Sequence, residues 1–178
     1  MGKIVVNLAR TVAILVGIPA AGLGAYDYIS VRPRLGKVEA ILAGAPKLDA
    51  APPQLIRDLI DADANSPTPH AARMVVYRVY PARSNTRYVR EMLWSILLPM
   101  HFGKSGMYGL FATLASNGTD HGLSSLSVRE YGKELDQLSP IQAAKVVAVT
   151  RAPSWYLSDR DRLNQRALVL LQKSGHVP

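Results

Sequence analysis

Four histidines, thirteen carboxylates and no cysteine are the chemical resources of this 178-residue chain. Without cysteine there is neither a disulfide framework nor a thiolate metal site. The histidines are His70, His101, His121 and His176, and no two stand four residues apart on one helix face. The spacing that pairs two imidazoles on a metal is therefore missing, and no metal and no cofactor is expected. Gly103-Lys104-Ser105 has the ending of a phosphate-binding loop, but that loop needs a glycine five residues before Gly103, where Leu98 stands. No strand–turn–helix serine elbow supports a Ser/His/Asp arrangement. Asn117-Gly118-Thr119 fits a glycosylation pattern of only three residues. What remains is chemistry between carboxylates and cations. Taken alone, Arg87 and Glu91 read as an ion pair on a helix surface, worth a few tenths of a kcal/mol. Asp63 reads as a helix-end residue in solvent.

The formal charge of +8 and pI of about 9.9 suit an anionic partner. A phosphate-bearing lipid, a membrane surface and a nucleic acid all qualify. The 21 basic residues form no dense run, so nucleic acid is not expected as the partner.

The elements that must position these residues read as helices. Pro52-Pro53 opens one in which Leu55, Ile56, Leu59 and Ile60 share a face. Asn65-Ser66-Pro67-Thr68-Pro69 ends it. Residues 71–80 fit a strand or a helix equally. A helix over Thr86–Phe102 follows, with Val89, Leu93, Ile96, Leu97 and Met100 as its expected buried stripe. Another covers Met107–Ala115, and Ser116–Leu126 reads as a loop. Ser139-Pro140-Ile141-Gln142 carries the signature of a capping box. The last helix is expected to start at a Ser158 cap, with Asp159 and Asp161 at its positive end, and to stop at Gly175. The chain reads as all-α.

The N-terminus bears on compartment. Lys3 and Arg10 precede an uncharged stretch from Thr11 to Tyr26. The small residues from Ala20 to Ala25 are compatible with a signal-peptide cleavage site, but Leu23 would then occupy its −3 position. As one helix, Ile4–Val31 is long enough to span a bilayer, and the uncleaved anchor is the favoured reading. Glycines 17, 22 and 24 with Pro19 argue against an ordinary buried soluble helix. Lys3 and Arg10 on one side balance Arg32, Arg34 and Lys37 on the other, so charge does not set the orientation.

The C-terminal half carries the most specific pattern. Tyr131-Gly132-Lys133, Leu138-Ser139, Ala143-Ala144 and Arg151-Ala152-Pro153-Ser154 with Tyr156 follow one another in order. They resemble the closing third of the family 51 peptidoglycan glycosyltransferase domain, where a "YFGK" step precedes a "L(S/T)xxEAA" helix and an "xAPxxY" turn. Arg166, Leu168-Val169-Leu170 and Gly175 continue the likeness. Upstream, Lys104 stands where the family has the lysine of "KxxILExYLN", and Gly118 and Gly122 match the glycines after it. Arg87 and Glu91 match the ends of "RKxxE", and Asp63 and His70 have the spacing of the Glu and His in "EDxxFxxH". The resemblance runs from about Leu55 to Val177.

The N-terminal membrane-anchor helix is placed over residues 1–31 and an Ala-, Gly- and Pro-rich connector over 32–53, and the resemblance implies a truncated lysozyme-like glycosyltransferase domain over 54–178. It places Asp63 and Glu91 at catalytic positions. It gives His70, Arg87, Arg90, Lys104 and Lys133 to a lipid-linked substrate. It puts the bulk of the chain on the periplasmic side of the cytoplasmic membrane. The departures are equally specific. Asp63 is one methylene shorter than the family's glutamate, and an error of about 1 Å costs roughly 10²-fold in rate. Ala64, Pro67, Tyr88, Gly109 and Thr113 replace an Asp, a Phe, a Lys, a Glu and an Asn. Only 16 residues separate His70 from Arg87, too few for the family's "GGSTITQQ" segment. The reaction needs a base on the incoming hydroxyl and cations on the pyrophosphate leaving group. The expectation is therefore a catalytically degenerate binding or accessory subunit of an envelope complex, with lipid II or glycan strands as ligand. The alternatives are an active minimal transglycosylase and a membrane-complex scaffold without ligand.

Overall fold

In the chain's central helix, six of ten side chains are apolar and buried. Pro140–Val149 (α8) encloses Ala143, Ala144, Val146, Val147, Ala148 and Val149, with Gln142 and Lys145 on its less enclosed side. The computed structural model describes residues 15–80 and 85–176. Its described elements are helices, joined by turns and one isolated bridge. The chain divides into two units, Met1–Gly36 and Lys37–Pro178.

In the first unit a helix over 15–26 (α1) runs into a π-helical turn, Asp27–Val31, and a 3-10 turn, Arg32–Arg34. Arg32 Nε lies 2.8 Å from Asp27 Oδ2, across that irregular stretch. Leu15, Val16, Ile18, Tyr28 and Ile29 are exposed. Among the described residues no helix is long and apolar enough to cross a membrane. Residues 4–14 of the expected anchor lie outside the described residues.

The second unit holds the other helices. The stretch read as a connector with a short helix at Val38–Leu42 contains two helices, Leu35–Ala43 (α2, which covers that short helix and begins at the unit boundary) and Lys47–Ala50 (α3). Gln54–Ala64 (α4) buries Ile56, Leu59 and Ile60 and ends at Asn65 in the left-handed region, φ 59°. The next helix, Thr68–Val79 (α5), starts sooner than the sequence suggests. Pro69 falls in its first turn, where no intrahelical N–H is needed. The ambiguous segment 71–80 thus belongs to a helix, and Ala71, Ala72, Val75, Val76 and Val79 form its buried face.

Arg87–Leu114 (α6) contains both expected helices, separated by a kink at Gly103 (φ 64°, ψ 177°). Before the kink, the buried residues are Trp94, Leu97 and Leu98. Of the expected stripe Leu97 is buried and Leu93 half-buried, but Val89, Ile96 and Met100 are exposed, so most of it faces away from the core. Periodicity found an apolar face, but this helix has two.

Leu123–Tyr131 (α7) is capped from a distance. Asp49 of α3 is buried and accepts hydrogen bonds from Ser124 N and Oγ, both at 2.8 Å. Two glycines permit that junction. A Cβ on Gly109 would stand 2.4 Å from Ala50 O, and one on Gly122 2.8 Å from Asp49 Oδ2. Gly109 thus answers a packing demand of α3.

At the start of α8, Gln142 N donates to Ser139 Oγ at 3.4 Å and Ser139 N to Gln142 Oε1 at 3.0 Å, as expected of a capping box. Pro153–Leu157 (α9) leads to Arg160–Ser174 (α10). The cap of α10 is Asp159, which accepts from Arg162 N at 3.0 Å. The expected cap, Ser158, instead turns back to donate to Trp155 O. Helices α4, α8 and α10 pack on one another, and α5 packs along α6.

Candidate functional site

The C-terminal end of a helix repels negative charge. Asp63 nevertheless stands in the last turn of α4 with its side chain only 6% exposed. Two cations from other elements make this possible. Arg166 of α10 donates Nη2–H to Asp63 Oδ1. Arg151, in the turn after α8, places Nη1 3.7 Å from Oδ2 and donates to the Asp63 carbonyl at 3.4 Å. The carboxylate thereby ties α4, α8 and α10 together at one point.

That point is a wall of a cavity of about 520 Å³. Helix α5 forms a second wall with His70, Arg73, Met74, Tyr77 and Arg78. These positions follow i, i+3, i+4, i+7 and i+8, a single helix face. Phe111 and Leu114 close the end of α6, and Ser116 and His121 come from the loop after it. Three arginines face one aspartate across this lining. His70 rests edge-on against Phe111, ring centroids 6.3 Å apart. Burial, then the charges of Arg73 and Arg151, hold its imidazole below the ordinary 6.5, and Asp63 opposes them weakly. The site is thus a cationic cleft with aromatic and aliphatic sides, suited to an anion that also carries uncharged bulk.

The loop that brings His121 there is held by its own polar core. Asn117 is fully buried. Its Nδ2 donates to Gly122 O at 3.1 Å and Ser125 Oγ at 2.6 Å, and its Oδ1 accepts from Asp120 N at 3.0 Å. Arg129 Nη2 donates to Asn117 O at 2.7 Å. A side chain so committed and enclosed is not available for glycosylation, so the Asn117-Gly118-Thr119 pattern serves the loop instead.

The residues expected from the sequence divide into two groups. Asp63 and His70 line the cleft. Glu91 lines a neighbouring groove of about 300 Å³ with Pro69, Tyr88, Met92 and Ser95, and this groove shares His70 and Arg73 with the cleft. Glu91 Oε1 lies 3.1 Å from Arg87 Nε, the ion pair that the spacing suggests. Arg87 also lies against the Tyr77 and Tyr88 rings, and Arg90 is 4.4 Å from the Tyr80 ring centroid. Lys104 is exposed, 3.5 Å from Asp61 Oδ2 and 5.5 Å from the Tyr108 ring centroid. Lys133 is exposed beyond α7, its carbonyl accepting from Ser127 Oγ at 2.6 Å. Arg87, Arg90, Lys104 and Lys133 do not line the cleft.

The cations that do line it, Arg73, Arg78 and Arg151, were missed as site residues, as was His121. The signal for two of them lay on α5. Had residues 71–80 been read as a helix, Arg73 and Arg78 would have fallen on the His70 face. His121 had none, since a loop carries no period. Among the described residues no three His, Asp or Glu side chains group as metal ligands would. No family model, no curated protein and no solved structure matches the chain.

Proposed function

We propose that the protein is a degenerate, lysozyme-like relative of the family 51 peptidoglycan glycosyltransferases that binds an anionic glycolipid or glycan strand without polymerising it. The observation that carries this reading is the state of Asp63. A general base must reach the proton it removes, whereas each Asp63 oxygen faces a guanidinium. The second carboxylate, Glu91, is paired to Arg87 and lines a different groove. What the cleft offers a ligand is positive charge from Arg73, Arg78 and Arg151, with His70 and His121 beside them. This suits the pyrophosphate of lipid II, whose polar and charged contacts are stabilised by arginine forks.

The uncharged stretch Thr11–Tyr26 supports attachment to the cytoplasmic membrane, with the cleft on the periplasmic side as an accessory subunit of an envelope complex. An active minimal transglycosylase is the second reading, favoured by Asp63 and His70 sharing one cavity. Incubation with labelled lipid II separates the two. Retention of lipid II without polymer supports the binding module. Polymer that disappears in Asp63→Ala establishes the enzyme.

A further inference from the structure

The first half of α6 is apolar on two opposite faces, and the fold uses one of them. At 3.6 residues per turn, Trp94, Leu97 and Leu98 point into the core. Tyr88, Met92, Ile96, Val89, Met100 and Leu93 fall on the other side, over an arc of roughly 140° with no charged residue in it. Of these, Tyr88 and Met100 are each 74% exposed, Met92 57%, Val89 53% and Ile96 48%. From Arg87 to Phe102 the helix is ~24 Å long, so the bare strip is far larger than a scattered surface leucine.

We propose that this outer face of α6 lies in the interfacial layer of an anionic membrane. The charges around it fit that partner. Arg90 on the flank of α6 and exposed Arg73 on α5, beside Tyr88 and Met92, border the strip, and exposed Lys104 follows its end. The one acid in this half of the helix, Glu91, is neutralised by Arg87 at 3.1 Å. Tyr88 and Tyr77 supply amphipathic rings of the kind that settle at headgroup depth. An apolar strip with a cationic border is the pattern of a helix lying in the membrane plane. A second copy of the chain fits less well. The strip is broader than the seam between two helices, and the groove beside it, though it includes Tyr88 and Met92, also carries Arg73 and Glu91, charges that an apolar ridge would bury. The inference goes beyond the proposed function and stands without it.

Because the chain has no cysteine, a single thiol reports from one place. The full chain with Ile96→Cys, labelled with an environment-sensitive nitrobenzoxadiazole, is mixed with vesicles of phosphatidylglycerol and phosphatidylcholine containing no lipid II. The expected result is a blue-shifted, brighter emission that brominated acyl chains quench and that is weaker on phosphatidylcholine alone. A label at Gln165→Cys, exposed on α10, stays unchanged. Adding Val89→Glu and Met100→Glu removes the response at Ile96→Cys while helicity is retained, since both side chains point outward. An Ile96→Cys spectrum unchanged on vesicles that carry the protein would overturn the proposal. So would a blue shift without lipid that grows with protein concentration alongside a dimer in sedimentation, which assigns the face to a second copy. The label reports from α6 and the vesicles contain no lipid II, so failure here leaves the cleft reading intact.

Discussion

Two aspartates with enclosed side chains meet opposite environments. Asp63, at the C-terminal end of α4, is held by two guanidiniums beside an open cavity. Asp49, in α3, sits at the N-terminal end of α7 and is held by Ser124 N–H and O–H, with no cation among those bonds. Burial pushes the Asp49 carboxyl above its ordinary 3.8, an effect that the Ser124 hydrogen bonds oppose. One carboxylate therefore works through charge and the other as a hydrogen-bond acceptor at a helix start. The difference teaches which is architecture and which belongs to a site. Asp49 is enclosed by α3, α6 and α7, whereas Asp63 keeps an open cavity on one side that is also lined by Arg73, Arg78 and Arg151.

The comparison can be broken first at Asp63. Asp63→Ala leaves Arg166 partly buried without its acceptor. Removing one partner of a buried pair costs 3–5 kcal/mol, and because Arg166 is about a quarter exposed the expected loss is about 3 kcal/mol by urea unfolding. A loss below ~1 kcal/mol, the range of surface pairs, would mean that the clamp is not structural. At the other aspartate, Gly109→Ala drives a methyl into Ala50 O and is expected to cost about 1–3 kcal/mol. Asp49→Ala removes the cap of α7, with an expected loss of ~1 kcal/mol in the same assay.

The pH dependence of Asp49 follows from its direction of shift. Its folded-state value lies above the unfolded one, so between the two the folded protein holds the extra proton. Its contribution to stability therefore falls as pH rises from about 3.8 through the raised value and is flat above it. Asp49→Asn keeps the acceptor oxygen and should flatten that slope in urea titrations across the acid range. An unchanged slope would assign the dependence to other carboxylates. The smallest expected effect is at the cleft's neighbour: Glu91→Gln should alter stability by only a few tenths of a kcal/mol.

Much of the architecture was legible where local chemistry decides it. The Ser139–Gln142 box, the prolines before α4 and the glycine stop of α10 are short-range signals, and each has its expected place. The Ser158 cap failed because Asp159, one residue later, offers a better-placed acceptor. The reading of α6 failed for another reason. Apolar periodicity reports that a face exists, and only the tertiary neighbours decide which of two faces is covered. Of the site, Asp63 and His70 were legible as a spaced pair. Arg151 was not, since it reaches Asp63 across 88 positions of sequence. Asp49 lay in a stretch that looked like linker, because a four-residue helix has no period to detect.

The central claim is that the cleft holds an anion through its arginines while Asp63 stays clamped. Its most direct test is calorimetric titration of a soluble short-chain lipid II analogue into the full chain and into Arg73→Ala/Arg78→Ala, at several pH values. The account predicts binding without polymer, abolished in the double variant. It also predicts that affinity strengthens as pH falls below 6.5, where His70 gains its proton. No binding by the unmutated chain, or equal binding by the double variant at every pH, would contradict it.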